Sequence, residues 1–264
     1  MSSSFNPSEY WEERLRTNPG ITGVGYTSLG TGYNYWLYRV RRKVFLRVLR
    51  ARGIDWSKAT VLDIGSGTGF YIELWKELGA SAIVGSDITE IATSDLRARF
   101  PEQTFLRLDI GAELPNSLTN SFDAVSAFDV FFHIVDDSRY RAALENIRNA
   151  LRPGGWFFFS DIALHGPTQR SIHMVSRALC EIEDLLQRVG FHTIDRIPMF
   201  VLLNQPLDTN STFHPFLWQL FVHAVRICKP IGYLSGAIVY PLELMLTALC
   251  RESRTTEILI CRKS

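Results

Sequence analysis

The stretch 61–69, which reads VLDIGSGTG, constrains the fold more than any other part of this 264-residue chain. An apolar run passes directly into three glycines at alternate positions, Gly65, Gly67 and Gly69, and a helical pattern over 70–78 follows without a gap. This order predicts a buried strand, a tight glycine turn and a helix N-terminus. Backbone N–H groups in such a turn can approach a ligand closely. We therefore expect a cofactor site at this turn.

A regular alternation of strand and helix patterns continues after the turn and predicts an α/β fold whose sheet is covered on both faces. The predicted strands span 60–64, 82–86, 104–108, 122–128, 156–160, 192–203 and 256–261. The predicted helices span 69–78, 89–99, 137–151 and 174–189, with a polar loop over 162–173.

Four strands in succession end with an aspartate: Asp87, Asp109, Asp129 and Asp161. Ligands bind beyond the carboxyl ends of the strands in open α/β sheets. These carboxylates therefore suggest a ligand with hydroxyls, amines or a positive charge. Helix capping and turn formation also explain any one of these aspartates, but they explain all four less easily.

Residues 1–52 lie outside this alternation and predict an N-terminal helical cap. Apolar residues at helical spacing indicate an amphipathic helix over 34–52. Its other face is basic and carries Arg39, Arg41, Arg42, Lys43, Arg47, Arg50 and Arg52. We favour a solvated face over contact with phosphate or anionic lipid, because no aromatic residues interleave with the charges as a nucleic-acid platform requires.

Residues 204–254 predict a hydrophobic helical insertion before the last strand, with apolar stretches over 213–228 and 231–250. The second stretch is long enough to cross a bilayer. Pro241 and Glu243 lie within it, however, and the chain must return to the sheet afterwards. We therefore expect a lid or a docking surface, used for peripheral membrane contact or for a homodimer, rather than a spanning helix.

Charge and cysteine content limit the function classes. A net charge of +1 provides no general attraction for nucleic acid. The four cysteines are scattered without a C-x-x-C pair, which predicts reduced thiols in a cytoplasmic protein and no metal site. The first ten residues lack a basic segment followed by an apolar one, so no signal peptide is expected.

The spacing of the turn distinguishes among nucleotide ligands. The pattern from Asp63 to Gly69 is D-x-G-x-G-x-G, unlike the G-x-G-x-x-G of dinucleotide folds, and no G-K-[ST] is present. An acidic turn repels pyrophosphate but suits an amine, which disfavours an NAD-dependent oxidoreductase. Asp87 ends the second strand, where a carboxylate accepts hydrogen bonds from ribose hydroxyls. Together these features predict a nucleoside with a cationic amino-acid tail, namely S-adenosylmethionine.

The sequence resembles the class I S-adenosylmethionine-dependent methyltransferases, in particular their small-molecule branch. The matching stretches are VLDIGSGTG at 61–69, GSDIT at 85–89, LDI at 108–110, FDAVSAFDVFFHI at 122–134 and LRPGGWFFFSD at 151–161. The resemblance implies a doubly wound, Rossmann-like sheet of seven strands with an antiparallel last strand. It further implies a methyltransferase domain over 53–264, with the helical insertion 204–254 between strands six and seven.

The resemblance also implies a set of site residues. Those expected to bind the cofactor are Asp63, Gly65, Ser66, Gly67, Gly69, Asp87, Ile88, Asp109, Ile110, Phe128 and Asp129. His133 is expected to face the methyl group and is the first candidate for a general base, followed by His165 and His173. Aromatic residues of the cap and the insertion are candidates for substrate binding: Tyr26, Tyr33, Tyr35, Trp36 and Trp218.

The predicted activity is methyl transfer from S-adenosylmethionine to an oxygen or nitrogen of a small, fairly apolar acceptor, such as a secondary metabolite or a lipid-like molecule. A nucleic-acid acceptor is not expected, because nucleic-acid amino-methyltransferases carry an Asn/Asp-Pro-Pro-aromatic run where this chain has Asp129-Val130-Phe131-Phe132. The alternative is a non-catalytic cofactor-binding or scaffold protein of the same fold. The intact glycine turn and Asp87 favour the enzyme.

Overall fold

A seven-stranded sheet forms the centre of the computed structural model, which describes residues 5–264. Its strands are β1 (Thr60–Ile64), β2 (Ala82–Asp87), β3 (Thr104–Arg107), β4 (Phe122–Ala127), β5 (Leu151–Asp161), β8 (Phe191–Pro198) and β9 (Glu257–Lys263). They are arranged in the order β3-β2-β1-β4-β5-β9-β8. The first five strands are parallel, and β9 is antiparallel to both of its neighbours. The predicted seven-stranded sheet with an antiparallel last strand is confirmed.

Both faces of the sheet are covered by helices, so every central strand is buried on two sides. In β1, Val61 belongs to one apolar core, whereas Leu62 and Ile64 belong to the other. The helices are α1 (Pro7–Thr17), α2 (Ile21–Val24), α3 (Gly30–Arg50), α4 (Phe70–Glu77), α5 (Glu90–Arg99), α6 (Asp137–Ala150), α7 (Leu179–Val189), α8 (Phe213–Ile227) and α9 (Lys229–Leu249). Side chains at several N-termini accept from free backbone N–H groups, as Thr89 does for Ala92 and Asp136 for Arg139.

Three predicted elements differ from the structure by five residues at one end. The strand expected over 156–160 begins at Leu151, as β5. The helix expected over 174–189 begins only at Leu179, because residues 175–176 form β7 (Val175–Ser176) and pair with β6 (Gln169–Arg170) inside the predicted polar loop. The strand expected over 192–203 ends at Pro198. Beyond it, the N–H groups of Val201 and Leu202 donate to the buried carboxylate of Glu243 on α9, each at 2.8 Å, instead of to a strand.

Helices α8 and α9 lie between β8 and β9 in the chain, and α9 packs along α3. The two helices approach closely at Gly236, where a Cβ atom would lie 2.5 Å from Cδ1 of Trp36. Near the other end of this contact, the Arg47 guanidinium donates to the carbonyl of Thr247 at 2.7 Å. Residues 1–4 of the predicted cap lie outside the described residues, and the division at residue 52 stays a prediction.

Candidate active site

A cavity of about 610 Å³ lies at the carboxyl ends of β1 to β4, beneath α1. This volume falls in the range of about 300–1,000 Å³ typical of small-ligand sites. Nine of the eleven predicted cofactor residues line it. They are Gly65, Ser66, Gly67, Asp87, Ile88, Asp109, Ile110, Phe128 and Asp129. The sheet therefore gathers residues from four separate strand ends around one space.

The glycine turn has a backbone conformation that other residues adopt only with strain. Gly65 and Gly67 have φ angles of +68° and +49°. A Cβ atom on Gly65 would lie 2.4 Å from a methyl carbon of Val130, so the close approach of the chain after β4 also requires glycine. The Ser66 N–H donates to the Ser86 carbonyl at 2.8 Å and fixes the turn against β2.

Asp63 and Gly69 lie beneath the turn and do not line the cavity, which differs from the direct contact with a cofactor that the sequence predicts for them. Asp63 is buried, and its Oδ1 accepts from the Ser126 hydroxyl at 2.5 Å, which in turn accepts from the indole N–H of Trp75 at 2.9 Å. Burial raises the pKa of Asp63 to about 7, against the opposing effect of the Ser126 hydrogen bond. Gly69, with a φ of +79°, is the N-cap of α4.

Asp87 lines the cavity from the end of β2 and also braces the turn. One of its oxygens accepts from the Gly67 N–H at 2.9 Å, and the other accepts from the N–H and hydroxyl of Thr89 at 2.9 and 2.7 Å. Burial raises the pKa of Asp87, and these hydrogen bonds oppose the rise. Asp109, at the end of β3, accepts from the Gly111 N–H at 3.0 Å and pairs with Arg139 at the cavity wall.

Asp129 reaches the cavity in a left-handed backbone conformation, with a φ of +59°. Its N–H donates to the Ser160 hydroxyl at 2.7 Å, and its carboxylate lies 2.5 Å from the guanidinium of Arg41 on α3. Arg41 is buried, which corrects its expected place on a solvated basic face. Burial lowers the pKa of Arg41, and Asp129 with Tyr71 raises it; the net shift is upward.

His133 lines the cavity just after β4, and its tautomer follows from its neighbour. Its Nδ1 lies 2.9 Å from the His173 carbonyl oxygen. Because a carbonyl can only accept, Nδ1 carries the proton and Nε2 is left as the acceptor. Burial lowers the pKa of His133 to about 4, despite the opposing hydrogen bond to His173. The ring is therefore neutral at pH 7 and able to take up a proton at Nε2.

The other two candidate bases do not line the cavity. His165 is half exposed on the protein surface, with its Nδ1 2.5 Å from a carboxylate oxygen of Asp208, and this hydrogen bond raises the pKa of His165. The imidazole of His173 stacks on Tyr10 at 5.7 Å between centroids, while its backbone carbonyl orients His133. The structure thus places neither imidazole at the cavity, and a catalytic role for either residue stays a prediction.

The five predicted substrate-binding residues connect the cap to the insertion instead of lining the cavity. The Tyr26 hydroxyl donates to Asn204 at 2.5 Å, and the Tyr33 hydroxyl donates to the Leu203 carbonyl at 2.9 Å. Trp218 of α8 packs on the rings of both. Tyr35 and Trp36 lie on the side of α3 that meets α9, against Tyr233 and Tyr240. Their apolar character serves helix packing.

The cavity is closed by residues that sequence reasoning did not assign to it. Apolar side chains of this part of the lining are Phe5, Trp11, Leu15, Val24, Tyr38, Phe70 and Tyr71. The sequence predicts a helical cap over residues 1–52 but does not specify which surface the cap covers. In the structure, Glu12 accepts from the first N–H groups of α5, and Arg14 donates to the carbonyls of Gly23 and Gly25, each at 2.6 Å. These contacts hold α1 over the cavity.

A family model described as a methyltransferase domain matches residues 61–155, the part of the chain that carries the glycine turn and the strand ends. The chain is 30% identical over 112 residues to a tRNA U34 carboxymethyltransferase of Pseudoalteromonas atlantica, covering 40% of this chain and 32% of that protein. It is 32% identical over 106 residues to a ubiquinone biosynthesis O-methyltransferase of Paraburkholderia xenovorans, covering 39% and 44%. The chain thus spans less than half the length of these curated relatives.

The structure is similar over its whole length to magnesium protoporphyrin IX methyltransferase from Synechocystis, which was solved with bound S-adenosylmethionine. The TM-score is 0.60, the identity is 14%, and all of both chains is covered. Residues 61–155 therefore match a methyltransferase domain, and the whole chain has the fold of a class I S-adenosylmethionine-dependent methyltransferase. The matched domain supports S-adenosylmethionine as the cofactor, and the lining of the cavity suits this molecule. Two carboxylates can accept from hydroxyls and amines, two isoleucines are apolar, and the glycine turn leaves room that a Cβ atom would fill.

Proposed function

We propose that this methyltransferase acts on an oxygen or nitrogen of a small, fairly apolar acceptor, such as a secondary metabolite or a lipid-like intermediate. The observation that carries the proposal is the apolar wall of the cavity, to which Trp11 and Leu15 of α1 and Phe5 just before α1 contribute. Such a wall excludes water and offers apolar and aromatic contact to an acceptor, with few groups to hold a charged one.

The cofactor roles follow from the positions of the lining residues and belong to the proposal. Asp87 is suited to accept from the ribose hydroxyls, with Ile88 and Ile110 on either side of an adenine ring and Asp109 near its amine. The turn at 65–67 and Asp129 are suited to the cationic amino-acid portion. S-adenosylmethionine supplies an electrophilic methyl group, and the protein's main contribution is to align the acceptor with it, worth at most about 7–11 kcal/mol.

His133 is proposed as the base for an acceptor that must lose a proton. Its Nδ1–H is held by the His173 carbonyl, so Nε2 is free to accept the acceptor's proton. A positioned base of this kind contributes about 10²–10⁴-fold to the rate. The Trp11 indole and the imidazole pack in a T-shaped arrangement at 4.9 Å between centroids, which keeps the imidazole in this orientation.

A second candidate function comes from the curated relatives, several of which are named tRNA U34 carboxymethyltransferases. Transfer of a carboxymethyl group would bring a carboxylate into the cavity, where an unpaired cation would be needed to hold it. Among the described lining residues Arg139 is the one basic side chain of lysine or arginine type, and it is paired with Asp109. A net charge of +1 also gives weak attraction for RNA. We therefore favour methyl transfer to a small molecule.

The test uses the purified chain with S-adenosylmethionine and measures release of S-adenosylhomocysteine. The acceptors are a panel of phenols, hydroxylated quinones, N-heterocycles and fatty acids, with unmodified tRNA in parallel. Turnover of a small apolar acceptor supports the proposal. Turnover of tRNA alone would overturn it. Tight binding of both S-adenosylmethionine and S-adenosylhomocysteine in calorimetry, without turnover of any acceptor, would instead favour a non-catalytic scaffold protein. A cytoplasmic location is part of the proposal and is supported by four free cysteines, which reducing compartments preserve.

A further inference from the structure

The helical hairpin formed by α8 and α9 exposes an unusually large apolar surface. Twelve of the sixteen large apolar side chains that are exposed within residues 5–264 belong to these two helices. We call this surface the apolar face, and its most exposed members are Phe213, Phe216, Ile227, Leu234, Ile238 and Leu249. Contiguous apolar surface of this extent, rimmed by polar residues, marks a site of contact with a protein or a membrane.

The hairpin is fixed to the protein along one side, so the apolar face is directed away from the core. Glu243 is fully buried and binds the backbone of residues 201–203, and Thr247 accepts from Arg47 of α3. By length and composition α9 could cross a membrane, yet its anchors run from Gly236 to Thr247 along α3. Spanning would break these contacts and bury a carboxylate in lipid. The geometry suits a hairpin lying flat on a surface.

The exposed charges within residues 213–251 have a single sign, and the next residue, Glu252, pairs with Arg196 at 2.6 Å. The lysine and arginine side chains of the hairpin and its C-terminal end, Arg226, Lys229 and Arg251, are all exposed. The one carboxylate within residues 213–251 is that of Glu243, which points into the protein. An apolar surface with a mainly cationic fringe is complementary to anionic lipid headgroups over an acyl layer.

Aromatic side chains extend this fringe along the contact between α3 and α9. The Trp36 ring packs against Tyr233 and Tyr240 at 5.5 and 5.1 Å between centroids. The guanidinium of Arg39 lies 5.3 Å from the rings of both Trp36 and Tyr240. Tryptophan, tyrosine and arginine in this combination are enriched where proteins meet the headgroup region of a bilayer.

We propose that the apolar face of α8 and α9 binds the surface of an anionic lipid bilayer. Its apolar side chains would enter the boundary between headgroups and acyl chains, with Arg226, Lys229 and Arg251 among the lipid phosphates. A second copy of the chain fits less well, because a twofold interface through this face would place the basic side chains of the two copies close to each other. The inference concerns a surface outside the cavity and does not depend on the identity of the methyl acceptor.

The test is flotation of the full chain with phosphatidylcholine vesicles, with and without about one-third phosphatidylglycerol. We expect binding to the anionic vesicles that weakens as salt is added. The double variant Ile227→Glu/Ile238→Glu, at positions 75% and 76% exposed, should lose at least about a hundredfold in apparent affinity. Arg226→Gln/Arg251→Gln should lose about thirtyfold. Ile172→Glu, at an 80% exposed position between β6 and β7, is the matched apolar control and should bind like the wild type.

Arg141→Gln/Arg188→Gln, on exposed faces of α6 and α7, is the matched charge control. Circular dichroism and S-adenosylhomocysteine binding verify that each variant is folded. The proposal is overturned if the wild type does not float with anionic vesicles, or if the Ile227→Glu/Ile238→Glu variant floats as well as the wild type. It is also overturned if sedimentation shows a dimer that this variant dissociates while neither protein binds vesicles.

Discussion

His133 is a neutral histidine that can act as a base through only one of its two ring nitrogens. The His133 Nδ1–H is held by the His173 carbonyl, so a proton can be taken up at Nε2 alone. We expect His133→Ala to lower turnover at least about tenfold, while the affinity for S-adenosylhomocysteine stays nearly unchanged. Steady-state kinetics and calorimetry measure the two quantities. His165→Ala, on the surface beside Asp208, is the control and should retain wild-type turnover.

Unaltered turnover of the His133 variant would remove it as the base. The acceptor would then be one that needs no proton removal, such as a free amine or an already ionised phenol.

The Arg41–Asp129 pair connects α3 to the end of β4 and is largely removed from water. The side chains are 10% and 22% exposed, and losing one partner leaves a charge that water solvates poorly. Arg41→Met should therefore lower the free energy of unfolding by about 3 kcal/mol. The double variant Arg41→Met/Asp129→Asn should lose less than the sum of its single changes. Urea unfolding measures both.

Lys43→Met, an exposed position on the same helix, is the control for the loss of a positive charge and should change stability by less than about 0.5 kcal/mol. Additive single effects at Arg41 and Asp129 would contradict an energetic coupling between them.

The residues that could be predicted are those that follow directly from a strand end. Asp87 and Asp109 terminate strands whose order in the sheet is fixed by their connections, so a local pattern was sufficient to bring them together. Arg41 could not be separated from its basic neighbours, because only the packing of α3 decides which arginine points inward. The sequence could not place Tyr26 and Trp218 for the same reason. An aromatic residue carries no signal that distinguishes a cavity wall from a helix contact.

At the scale of elements, α1 is the helix on which access to the cavity depends. Arg14 joins it to the carbonyls of Gly23 and Gly25 through two charged hydrogen bonds of 2.6 Å, whereas Arg16 pairs with exposed Glu13 of the same helix. Arg14→Met should therefore populate states in which α1 leaves the cavity, and the dissociation constant of S-adenosylhomocysteine should rise about three- to tenfold. Calorimetry measures it, with Arg16→Met as the control on the same helix. Equal dissociation constants of S-adenosylhomocysteine for both variants would show that α1 packs over the cavity without the Arg14 hydrogen bonds.

The elements themselves were predictable where period and boundary residues agreed. Strand β1 begins and ends as predicted at Thr60 and Ile64, since an apolar run there meets a glycine turn. Strand β8 ends five residues earlier than expected. The apolar run over 199–203 reads as a strand, but a carboxylate forty residues later in the chain takes its N–H groups. A hydrogen bond to a residue so distant in the chain cannot be predicted from the local spacing of apolar residues.

At the scale of the whole molecule, Asp63 joins three elements beneath the cofactor turn. It lies at the end of β1, accepts from Ser126 of β4, and is linked through that hydroxyl to Trp75 of α4. Its carboxyl Oδ2 is buried without a hydrogen-bond partner among the described residues. Folding therefore favours the neutral carboxylic acid, and the stability of the protein should depend on pH through this residue.

The direction in which stability changes with pH follows from the pKa of Asp63 in the unfolded and the folded protein. Burial raises the pKa of Asp63 from 3.8 in the unfolded chain to about 7 in the folded one. Its contribution to stability is fully present below the lower value and is lost as the pH rises towards the higher one. The free energy of unfolding of the wild type should fall between pH 4 and pH 7 by more than that of Asp63→Asn, by at most about 4 kcal/mol. Urea unfolding followed by tryptophan fluorescence measures this difference. Asp184→Asn, an exposed position on α7, should keep the wild-type pH dependence. Parallel pH profiles for the wild type and Asp63→Asn would mean that the carboxylate is solvated in the folded protein.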